Sequence, residues 1–76
     1  MSTQLDRLDQ VAASLRSHST TAKQHFYCLS GGEQIYAALA ANRTDLLKEI
    51  GYTIPAALAR LGPDWTAELI QRHEYR

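Results

Sequence analysis

His25 and Cys28 stand three residues apart, a spacing that sets two side chains on one helical face. Such a pair suits either two metal ligands or a base beside a thiol nucleophile. A zinc site needs two further ligands, and with no second cysteine in the chain only His18 and His73 remain to supply them. Catalysis by the pair needs a third, orienting group and an enclosed pocket, and no signal for either is present. The reading taken is a buried Cys28 beside a surface His25, with no metal and no cofactor. Asp45 with Glu49, and Asp64 with Glu68, form carboxylate pairs at i and i+4. Two acids on one face can share acid–base work in a cleft, but acids are favoured in first helical turns for their effect on the helix dipole, and that is the role assigned here. The chain is therefore not expected to be an enzyme.

These residues must be positioned by helices. Ser30 precedes Glu33 by three, the reciprocal spacing of a capping box, so a helix is expected to start at Gly31. Ile35, Ala38 and Leu39 recur at helical spacing beside a second row of Tyr36 and Ala40, and the alanines between 37 and 41 keep the helix slim enough for neighbours to approach closely. Asn42 reads as an N-cap for a short helix over 43–50, closed by Gly51 in the left-handed position after the helix.

The string Leu29 to Gln34, LSGGEQ, resembles the signature motif of ABC-type ATPases, in which Ser and Gly backbone groups at a helix N-terminus contact a nucleotide's γ-phosphate. The resemblance would imply a nucleotide contact at 30–32. The chain has no GxxxxGK[ST] loop and no apolar run ending in an acidic metal ligand, and Glu33 already supplies negative charge at that helix start, so the string is read as a cap.

Seventy-six residues make one domain, which buries only about 60% of its unfolded surface. Eleven alanines and ten leucines favour helices, and the expected fold is all-α: four or five short helices in one unit, 1–76, with a helix-turn-helix-like pair at 43–61. Within it, 1–16 is an amphipathic helix capped by Ser2 or Thr3, 17–21 is a hinge in which Thr20 or Thr21 caps the next helix, and 22–76 is the helical core. Segment 22–29 has the aromatics of a strand but no partner strand, and is assigned as a short helix burying Phe26, Cys28 and Leu29. Leu5, Leu8, Ala12 and Leu15 make a two-heptad seam, for the domain's own core or for a homodimer through residues 3–16. Thr53 caps a helix with Pro55 in its first turn, and Ile54, Ala57, Leu58 and Leu61 form its buried face. Gly62 and Pro63 end it. Asp64 caps a last helix from Trp65 to about Glu74, with Trp65, Leu69, Ile70 and His73 inward.

Net charge is zero and charges of both signs alternate along the chain, so no basic face forms for nucleic acid or anionic membrane. No apolar run is long enough to span a bilayer, no signal-peptide core is seen, and a single cysteine makes no internal disulfide, so a cytoplasmic protein is expected. What remains is surface chemistry. Large amphipathic rings exceed what so small a core needs, and such residues are enriched at interface hot spots. The expected function is a small non-enzymatic regulator or inhibitor that binds a larger partner protein, of the kind encoded on phages and mobile elements. The candidate contact residues are Leu5, Leu8, Tyr36, Tyr52, Arg60 and Tyr75. The alternative is a helix-turn-helix DNA-binding regulator using Arg43, Lys48 and Arg60, disfavoured because the second helix, IPAALARL, offers Arg60 alone for reading a base or gripping a phosphate.

Overall fold

The computed structural model describes residues 3–17 and 20–73. Among them are six helices, more than the four or five expected, and no strand: α1 (Thr3–Arg16), α2 (Thr20–Tyr27), α3 (Gly31–Ala40), α4 (Thr44–Glu49), α5 (Ile54–Leu61) and α6 (Pro63–His73). The radius of gyration, 11.1 Å, is that of one compact unit of this length. Segment 22–29 lies mostly in α2 and is helical.

α3 is in contact with all five other helices. Its first turn is fixed by the Glu33 carboxylate, which accepts from both the N–H and the hydroxyl of Ser30 at 3.1 Å. Gln4 donates to the same carboxylate at 2.7 Å and so ties the start of α1 to the start of α3. Ala37, Ala38, Ala40 and Ala41 are buried, and their small side chains let several helices share one axis. Around α3 the core is completed by Leu5, Leu8, Ala12 and Leu15 of α1, Ala22 and Phe26 of α2, Leu46 and Leu47 of α4, and Ala57 of α5.

Two arginines cross between helix ends. Arg16 donates to the Ala40 carbonyl at 2.6 Å, and Arg43 donates to the Leu15 carbonyl at 2.9 Å. Each guanidinium satisfies a carbonyl that the other helix's last turn leaves without an intrahelical partner. Arg43 also holds Asp45 through two hydrogen bonds, at 2.9 and 2.7 Å.

Several boundaries differ from those expected. Asn42 does not cap α4. It takes φ +56°, while its own N–H reaches Leu39 O and the Arg43 N–H reaches Ala38 O, the two bonds of a Schellman close on α3. Asparagine tolerates either place, and the orphan carbonyls of α3 decide which one it fills. Gly51 closes α4 in the same way, with Gly51 N–H to Lys48 O and Tyr52 N–H to Leu47 O, as its position after the helix predicts. Thr53 caps α5, its hydroxyl accepting from the Ala56 N–H at 3.3 Å. α6 begins at Pro63, so Asp64 lies inside its first turn rather than capping it, because proline at the first helical position loses no hydrogen bond. Thr20 and Thr21 likewise lie inside α2; residues 18 and 19 of the hinge fall outside the described residues, as does the Ser2 cap.

Candidate functional site

His25 and Cys28 line one groove of about 640 Å³ between α1 and α2, rimmed by Arg7, Gln10 and Ser14 on one side and by Thr21, His25 and Cys28 on the other. Cys28 is exposed, not buried, because α2 ends at Tyr27 and the turn carries the thiol outward. Glu33 closes one end of the groove, but its carboxylate is already held by Ser30 and Gln4. Among the described residues no group of three or more His, Cys, Asp or Glu is placed to hold a metal ion, and His18 lies outside them.

The acids are engaged in structure. Asp45 pairs with Arg43, and that hydrogen-bonded pairing drives its carboxyl down to about 2. Glu49 accepts from the Tyr27 hydroxyl and lies 3.8 Å from Lys23, joining α2 to α4. Glu68 accepts from Arg72 on its own helix at 3.0 Å.

The densest polar cluster lies elsewhere, where α6 meets α1 and α3. Arg72 donates to Asp6 at 2.9 Å and to Asp9 at 2.8 Å. The Tyr36 hydroxyl donates to the other oxygen of Asp9 at 2.8 Å, and His73 Nε2 approaches that same oxygen at 2.9 Å. An ionised carboxylate only accepts, so Nε2 carries a proton, and Nδ1 is left buried without a partner. Burial alone would raise the Asp9 carboxyl; hydrogen bonds from Arg72, His73 and Tyr36 outweigh it and hold the group below the usual range. Burial first, and the hydrogen bond to Asp9 second, raise the Tyr36 phenol well above its ordinary value, so it stays protonated as a donor.

Asp9 of this cluster and Asp45 beside Arg43 make stability depend on pH. Asp9 and Asp45 are both lowered in the folded state, so their contribution is complete above the unfolded aspartate value of ~3.9 and is lost as pH falls through the folded values. Thermal melts of wild type and Asp9→Asn are expected to differ at neutral pH and to converge in acid. A constant difference down to the lowest pH would remove this linkage.

The candidate contact residues separate into three groups. Leu5, Leu8 and Tyr36 are buried at 2% exposure or less, so they serve the domain's own core and face no partner. A homodimer through residues 3–16 loses its contact surface with them, since α3 covers the seam that would have paired. Tyr52 is partly buried against the core, and Arg60 is exposed with no ion pair among the described residues. Tyr75 lies outside the described residues.

Sequence reasoning missed the exposed apolar side chains. Ile54 is 48% exposed, Leu58 36% and Ile70 53%, although helical periodicity points all three inward. Only Ala57 of α5 is buried. Among the described residues, no helix is long and apolar enough to cross a membrane. No protein-family model matches the chain, and no curated protein or solved structure is significantly similar to it.

Proposed function

We propose that the protein is a small non-enzymatic docking domain of the cytoplasm, which regulates or inhibits a larger partner protein through the outer face of α5. The observation that carries this reading is the placement of Ile54 and Leu58, one turn apart on α5 and 48% and 36% exposed. Neighbouring apolar side chains left open in this way mark contact surfaces when they are contiguous. The one charge on α5, Arg60, is exposed and without an ion pair among the described residues, but it lies about 160° around the helix from Leu58, so the surface complementary to Ile54 and Leu58 is apolar. DNA reading by α4 and α5 has less support, because the exposed side chains of α5 besides Arg60 are aliphatic or proline.

The test is retention of partners by the tagged chain from lysate, with and without nuclease, comparing wild type with Leu58→Asp. A stoichiometric protein that survives nuclease and is lost by about 30-fold or more with Leu58→Asp is the expected result, as for a central contact residue. Retention of nucleic acid alone, nuclease-sensitive and abolished by Arg43→Ala or Arg60→Ala, would overturn it. So would a dimer in light scattering that Leu58→Asp converts to monomer, which would give the face to a second copy.

A further inference from the structure

Among the described residues fifteen form the buried core, and α6 supplies none of them; they come from α1 to α5 and the residue that closes α3. Trp65 and Leu69 pack on that core only in part, and Ile70 points out. What ties the far end of α6 down is charge: Arg72 to Asp6 and Asp9 of α1, and His73 to Asp9, with Glu68 and Tyr36 completing the cluster. The seat is imperfect, since His73 Nδ1 is buried without a partner and a hollow of about 530 Å³ opens between His73 and the residues Leu39 to Asn42. At its near end α6 is joined to α5 by Gly62 alone, at φ +89° and ψ 164°. Beneath the helix lies Tyr36, fully buried, its ring edge-on to Trp65 at 5.8 Å and to His73 at 6.2 Å.

We infer that α6 is a lid latched to α1 by charge and resting on Tyr36 of α3, which opens about Gly62 as one unit and uncovers Tyr36 while the rest of the bundle stays folded. A helix with few buried apolar atoms and polar ties belongs to the low-stability end of a domain and opens before the core does. The lid is independent of the docking reading, since it involves α6 and Asp9 rather than the outer face of α5.

Hydrogen exchange of the full chain, read by mass spectrometry, tests it. Amides of 64–73 are expected to exchange faster than those of α1 and α3. Arg72→Ala should speed them a further ~10-fold, the scale of a lost charged hydrogen bond, with α1 and α3 unchanged. Should that variant fail to fold, wild type in about 0.1 M and about 1 M NaCl decides, because screening of the latch should speed α6 alone. The single tryptophan, Trp65, reports the same event, through iodide quenching that rises before helical signal is lost. One common exchange rate for α6 and α3, moving together with salt or substitution, would overturn the lid and make α6 part of the global unit.

Discussion

Tyr36→Ala is expected to cost about 3–5 kcal/mol, the scale for deleting a fully buried aromatic ring. Tyr36 is the largest side chain that is completely inside, and it meets α1 through Asp9 and α6 through Trp65 and His73. A chain of this size has about 4–11 kcal/mol of total stability, so the loss is a large share of it. In a thermal melt the midpoint should fall by tens of degrees or the cooperative transition should vanish. Tyr36→Phe isolates the hydroxyl. It keeps the ring and leaves Asp9 its bonds to Arg72 and His73, so about 1 kcal/mol is expected. A Tyr36→Ala protein that melts within a few degrees of wild type would show that the ring is not where the helices meet.

Gly62→Ala is the second large effect, about 1–3 kcal/mol of destabilisation with no steric contact behind it. A Cβ placed at Gly62 would meet nothing within 4 Å, so the cost comes from the backbone alone. Its φ of +89° with ψ of 164° lies in a region that essentially only glycine occupies. Gly32→Ala supplies the opposite sign. That site is also open and sits inside the first turn of α3, where alanine should add up to about 1 kcal/mol. Chemical denaturation of the two variants should move the midpoint in opposite directions. Equal and small shifts would mean that Gly62 does not hold this conformation in solution.

The helical framework was legible because its signals are local. Ser30 with Glu33, Gly51, and Thr53 with Pro55 each mark a boundary within four residues, and α3, α4 and α5 begin or end there as expected. Depth was less legible. Ile54 and Leu58 share the spacing of a buried stripe, yet Ala57 is the residue that reaches the core, in a helix packed on the alanine-rich α3. Periodicity identifies an apolar edge but does not rank its members by how closely a neighbour can approach. The α1 seam posed the same problem in reverse, since Leu5 and Leu8 would look alike in a homodimer and in a core. The Asp9 cluster was beyond local reading altogether. Its partners lie 27, 63 and 64 residues away, and His73 on an inward face was the single hint.

An alanine-lined centre also governs how this sequence can drift. Seven of the fifteen core positions among the described residues, Ala12, Ala22, Ala37, Ala38, Ala40, Ala41 and Ala57, already carry nearly the smallest side chain there is. Enlarging one of them overpacks a closely approached helix, at about 1–3 kcal/mol, and truncation can go only as far as glycine. The leucines at 5, 8, 15, 46 and 47 are under a looser constraint, since isoleucine or methionine of similar volume costs less. Accepted changes are thereby channelled toward the rim and the outer faces. α3, which touches every other described helix, is expected to be the slowest part of the chain to diverge.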